Sequence, residues 1–254
     1  MKKRDVTQTP DGSREAPPVV HGLFTLIELL VVVAIIAILA ALLLSTLRHA
    51  RDRSRTAACT STGRQWGVGF NLYADDFDGF LPYEGSFGDI SVGKNTQAWH
   101  NTVSPYLGQP PLKDLFAAGN PPVAGKSSIF ACPAARPPAA PPTVTNPKFM
   151  YGLNNFMDPN DSGPVWNHYR FSVAEDPSRT ALFADNNQSN DPGVYGPDIP
   201  SRHQNGACFA FVDGRAGWLP DAQYFRPTSY TSTDEWNGAW GRYIYFYPYS
   251  GATN

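Results

Sequence analysis

The sequence predicts an α+β protein: a long N-terminal α-helix, membrane-spanning in its first half, packed on a small antiparallel β-sheet head with long loops. Three observations lead to this fold class. Sixteen apolar residues follow one another without a break from Leu29 to Leu44. A run of small residues at three- and four-residue steps carries the helical pattern well past that stretch. The remainder then alternates short apolar strand patterns with turns rich in Gly and Pro, 22 and 24 of each in the chain.

Residues 1–23 are polar and read as a leader to be removed. The apolar stretch from Leu23 to Leu47 is long enough to cross a bilayer, which takes about 20 helical residues. A cleavable secretory signal has an apolar core of only about 7–15 residues, so this segment, 24–47, reads as an anchor. Glu28 lies near its start, and a carboxylate in such a run is a functional residue by default. Beyond it, Leu47, Ala50, Ser54, Ala57, Ser61, Val68 and Leu72 outline a face that would pack on the head. Gly63, Gly67 and Gly69 weaken the helix by about 1 kcal/mol each relative to Ala. The expected helix runs from about residue 24 to about residue 74.

The head takes up residues 48–254. YADDFDGFLP, residues 73–82, reads as the helix stop; its Asp75, Asp76 and Asp78 lack the further ligands of a calcium loop. WHNTVSPYL, from Trp99, predicts a short helix or turn, and IFACP, from Ile129, a short strand ending near Cys132. The Pro-rich stretch 135–147 predicts an extended surface loop. KFMYGLN (148–154) and Thr180–Ala184 read as strands. Residues 202–219 form the clearest hairpin: Ala207–Val212, a two-residue Asp213-Gly214 turn, and a return over Arg215–Leu219. The tail from Trp236 is aromatic and reads as an edge strand or flap.

Composition narrows the function. A net charge of −2 leaves no nucleic-acid footprint. Arg48, Arg51, Arg53 and Arg55 against Asp52 give +3 after the anchor, and the leader carries +1, so the positive-inside rule alone would keep the head in the cytoplasm. Cys59 and Cys132 are the candidate disulfide pair, because Cys208 sits within an apolar strand pattern and reads as a small buried hydrophobe. No phosphate loop, nucleophile elbow or zinc spacing is present, so no cofactor and no metal ligand is assigned. Asp185, His203 and Asp213 could meet at strand ends, but the simpler reading makes His203 a hydrogen-bonding residue and Asp213 a turn residue.

The leader, FTLIEL (24–29) and the long apolar helix resemble the processing and methylation segment of type IV prepilins and type II secretion pseudopilins. The resemblance implies cleavage by a prepilin peptidase between Leu23 and Phe24, with N-methylation, and Glu28 as fifth mature residue. Gly22 stands one position earlier than that family's usual glycine, so the bond after Gly22 stays open as the alternative. Glu28 would then serve assembly by meeting a neighbouring subunit's amine. Pilin helices often carry Pro near the end of the apolar run; this chain has Ser45, which predicts no kink.

A second resemblance lies in the hairpin. His203, nine residues, then Asp213-Gly214 is similar to the His-x9-Asp-Gly signature of a large bacterial family of unknown function (DUF1559-type), whose members also carry prepilin-type leaders. YADDFDGFLP, Cys132-Pro133, MYGLN and PSRTALFAD resemble that family's blocks, in order. Together the resemblances imply a pilin-like fold and a structural subunit related to the major pseudopilin. Its partners would be the prepilin peptidase, other pilin or pseudopilin subunits and the inner membrane, with the head periplasmic or extracellular. Two rivals stand beside this reading. One is an anchored module that binds a carbohydrate or peptide through exposed Trp residues. The other is an anchored hydrolase using Asp185, His203 and Asp213.

Overall fold

The computed structural model describes residues 25–157, 170–174, 176–194 and 198–224. Gly22, Leu23 and Phe24, the rest of the leader, Trp166, His168 and the aromatic tail from Trp236 lie outside them. The chain divides into two compact units, Met1–Thr46 and Leu47–Asn254.

Helix α1 spans Leu26–Asp76, 51 residues without a break. Thr25 begins it through a reciprocal capping box. The Glu28 N–H donates to Thr25 Oγ1 (3.3 Å), and Glu28 Oε2 accepts from the Thr25 N–H (2.9 Å) and hydroxyl (2.7 Å). Ser45 interrupts nothing, because its hydroxyl turns back to the Leu42 carbonyl (2.9 Å). The helix ends where Asp78 and Gly79 take positive φ and the Gly79 N–H closes on the Ala74 carbonyl at 2.7 Å.

In the first unit every described large apolar side chain of α1 is exposed, from Leu26 (82%) to Leu44 (55%). This helix is the one among the described residues long and apolar enough to cross a membrane.

In the second unit α1 buries a face, but not the expected one. Val68 and Leu72 are exposed, whereas Cys59, Thr62, Gly63, Trp66, Gly67, Gly69, Phe70 and Ala74 are buried. Bulk decides the outcome. Trp66 and Phe70 have ring area to bury that Ala57 or Ser61 lack. The glycines, rather than defects, are where neighbours come close. A Cβ on Gly69 would stand 2.9 Å from Val103 Cγ1, and Gly67 lies over Gly214.

Trp66 is the centre of the core. Its ring meets Phe70, Trp99, Phe130 and Phe183, and its Nε1–H donates to the Ile129 carbonyl at 2.6 Å. Trp99 opens the short helix α2 (Trp99–Thr102), and α3 (Leu112–Ala117) follows.

Five strands form one sheet in the order β3-β1-β2-β4-β5. They are β1 (Tyr151–Asn154), β2 (Ala181–Asp185), β3 (Gly193–Val194), β4 (Gly206–Phe211) and β5 (Ala216–Pro220). The pairs β1–β2, β2–β4 and β4–β5 are antiparallel, but the two-residue edge strand β3 runs parallel to β1. The sheet is therefore mixed, not wholly antiparallel. Ile129–Pro133 is a turn with one Ser128–Ala131 bridge, not the expected strand.

The β4–β5 hairpin closes through three residues, not two. The Gly214 N–H reaches the Phe211 carbonyl (2.9 Å), the Phe211 N–H reaches the Arg215 carbonyl (2.8 Å), and only Gly214 has positive φ, +81°. That is a type I turn with a glycine bulge; a two-residue Asp-Gly turn would need positive φ at Asp213 as well.

Candidate functional site

Four side chains that are far apart in sequence meet inside the head. Cys59 comes from the buried face of α1, Cys132 from the turn after Ala131, Asp185 from the last position of β2, and His203 from the turn before β4. Gln204 and Asn205 both take positive φ there, and the His203 N–H bonds the Gly206 carbonyl at 3.0 Å. That tight reversal turns the imidazole inward and leaves it 1% exposed.

The geometry is centred on His203 Nε2. It lies 3.3 Å from Cys132 Sγ and 3.4 Å from Asp185 Oδ2. The sulfurs of Cys59 and Cys132 are 2.8 Å apart, and both are free thiols. Surrounding groups hold three of the four. The Tyr151 hydroxyl donates to Cys59 Sγ (3.2 Å), Thr56 Oγ1 faces His203 Nδ1 (3.5 Å), and the Cys208 N–H donates to Asp185 Oδ2 (2.8 Å). Trp218 Nε1–H holds the His203 carbonyl at 2.5 Å. The other carboxylate oxygen, Asp185 Oδ1, is buried without a hydrogen-bond partner among the described residues.

Proximity separates the proton affinities. The Cys132 thiol is pulled down to about 5, first by the hydrogen bond from Cys59 and then by the one from His203, against the opposing effect of burial. Cys59 moves up, because its proton is held in that sulfur–sulfur contact and because it is buried. Burial works to lower His203, but the contacts to Asp185 and Cys132 outweigh it and raise the imidazole to about 9. The two shifts favour a proton on the imidazole at the expense of the Cys132 sulfur beside it. Burial first, and then the nearby Asp185, raise Cys208, whose sulfur faces Thr60 Oγ1 (3.4 Å).

Of the residues grouped from sequence, Asp185 and His203 do meet. Asp213 does not; it is exposed at the hairpin tip beside Arg215 (3.8 Å). The strand between His203 and Asp213 holds the two ends of the signature apart. The proposed Cys59–Cys132 pair is adjacent, and Cys208 is a buried strand residue as expected. The convergence of both thiols on His203 and Asp185 was not foreseen, since no local spacing announces four donors on four separate segments. Asp76 of the Asp-rich segment accepts from the Tyr106 hydroxyl (2.7 Å). Among the described Trp residues, Trp66 and Trp99 are core and Trp218 is 36% exposed.

These features define an α+β head carried on an N-terminal apolar helix, with a closed thiol–imidazole–carboxylate cluster at its centre. The chain belongs to the family described as Protein of unknown function (DUF1559), which it matches over residues 48–195. We found no match among curated proteins or among solved structures.

Proposed function

We propose that the chain is a structural, pseudopilin-like subunit. A prepilin peptidase cuts before Phe24 and methylates the new terminus. The first half of α1 then holds the subunit in the inner membrane, with the head periplasmic or extracellular. Through the same helix it assembles with other pilin or pseudopilin subunits into a type II secretion or type IV pilus-like filament.

One observation carries this reading. A single unbroken helix has a first half that is apolar and exposed on all sides, with one carboxylate, Glu28, at its start. A surface of that kind suits lipid and, on extraction from lipid, other copies of the same helix. Within one chain Glu28 is satisfied by Thr25, so cutting before Phe24 keeps the whole capping box in the mature protein. A neighbour's terminal amine would give the carboxylate a cation in place of that cap.

The cluster supports a structural role over a hydrolytic one. A catalytic thiol uses one ring nitrogen and leaves the other to an orienting carboxylate. Here Cys132 and Asp185 both face Nε2, and the Cys132 side chain is fully buried.

The test is the mature N-terminus of the membrane-bound protein, read by mass spectrometry. Methylated Phe24 is expected. An intact Met1 terminus overturns the prepilin reading.

A further inference from the structure

We infer that the head binds one divalent transition-metal ion of the zinc type, held by Cys59 Sγ, Cys132 Sγ, His203 Nε2 and the Asp185 carboxylate. The inference does not depend on filament assembly. Its ground is convergence. One ligand atom from each residue lies within 4.8 Å of the other three, and all four residues are buried. A tetrahedral zinc ion with bonds of about 2.3 Å to sulfur and about 2.0–2.2 Å to nitrogen or oxygen sets neighbouring donors about 3.3–3.8 Å apart. The 3.3 Å from Nε2 to Cys132 Sγ and the 3.4 Å from Nε2 to Asp185 Oδ2 are at that spacing. The sulfurs, at 2.8 Å, part by about 1 Å when the ion enters between them.

Two further observations point to a ligand. Asp185 Oδ1 is a buried acceptor with nothing among the described residues to accept from, a costly state that a cation relieves. The outer contacts have the pattern that orients metal ligands: Thr56 on the far ring nitrogen of His203, Tyr151 on Cys59 and the Cys208 amide on Asp185. Two sulfurs, a nitrogen and an oxygen suit a borderline-soft ion, and a closed four-donor set is that of a structural site. His203 also borders an open cleft of about 900 Å³ with Pro133, Ala134 and Arg202, which is the side of the cluster nearest to solvent. Coordination sends whatever protons the two sulfurs and Nε2 carry to solvent and leaves four segments of the head joined at one point.

A Cys59–Cys132 disulfide would use the same sulfurs, so the ion and the disulfide exclude each other. The experiment uses the full-length chain in detergent, from zinc-supplemented cells. One portion is alkylated at lysis to count thiols by mass, and the other is assayed for zinc by elemental mass spectrometry. The metal-free protein is then titrated with cobalt(II) and its visible spectrum recorded. About one zinc per chain, no disulfide and an intense sulfur-to-cobalt band are expected. Cys132→Ser and His203→Ala should lose the zinc, and Cys208→Ser should keep it. If the ligand variants do not fold, the wild-type cobalt spectrum still decides. A Cys59–Cys132 disulfide at lysis overturns the inference, as do free thiols that bind neither zinc nor cobalt.

Discussion

The two halves of α1 treat apolar side chains in opposite ways. From Leu26 to Leu44 the large apolar side chains are about half or more exposed, and composition rather than arrangement defines the segment. From Leu47 onward the helix is polar on most of its surface, yet Trp66 and Phe70 are wholly buried in a cluster of rings. The first half has no core of its own, so its function must come from a medium or from partners. The second half supplies the centre of a core and is specified by shape. One continuous helix thus carries both a non-specific surface and a specific one, and the two halves should respond differently to substitution.

The largest difference should come from the one polar group in the non-specific half. Glu28→Ala should leave the protein in the membrane fraction but lower cross-linked multimers by roughly tenfold or more, if the proposed assembly pairs this carboxylate with a neighbour's amine. Wild-type levels of multimer in this variant would reduce Glu28 to its capping role with Thr25. In the specific half, Trp66→Ala should cost about 3–5 kcal/mol, seen in denaturant unfolding of the full-length chain in detergent. Leu39→Ala, in the exposed half, should leave that unfolding unchanged. Similar losses at the two positions would break the comparison.

Acid provides a finer probe of the core. His100 is packed beside the rings of Trp99 and Phe149, with neither ring nitrogen hydrogen-bonded among the described residues, and burial lowers it to about 3. Its folded value lies below the unfolded one of about 6.5, so the unfolded chain takes the proton first as pH falls. The His100 contribution is constant above about pH 6.5 and falls by about 1.4 kcal/mol per pH unit below it, about 2 kcal/mol by pH 5. His100→Leu should flatten that slope between pH 6.5 and pH 5. An unchanged slope would assign the acid sensitivity elsewhere. The smallest effect is expected at the hairpin. Gly214→Val puts a branched residue at φ +81° and should cost about 1–2 kcal/mol, lowering the thermal midpoint, while Gly214→Asn should cost less.

Features with a local signal were legible in the sequence. The anchor, the extent of α1 within two residues at either end, and the strands β2, β4 and β5 follow from apolar runs and turn residues. What was misread depended on neighbours distant in sequence. The packing face of α1 was drawn through small residues, whereas Trp66 and Phe70 decide it, and Gly69 is small because Val103 and Leu107 lie against it. The hairpin turn was placed correctly but given two residues, because Asp-Gly is equally at home in a glycine-bulge turn. The parallel pairing of β3 has only two residues and no pattern to read. At the site, the pairing of Cys59 with Cys132 places two sulfurs that are adjacent, but residue spacing could not reveal that they share a centre with His203 and Asp185.

The same spread of the cluster along the chain affects how the head is made. Cys132 follows Cys59 by 73 positions, and His203 follows Cys132 by a further 71. A chain emerging from its N-terminus therefore exposes Cys59 long before the last donor exists. Contacts of such separation form late and slowly, because each must close a long loop before it is stabilised. The cluster is completed only once helix, loop and sheet have docked. A chain that stops anywhere between Cys59 and His203 therefore lacks the complete cluster, and its thiols lose the burial that the finished head gives them.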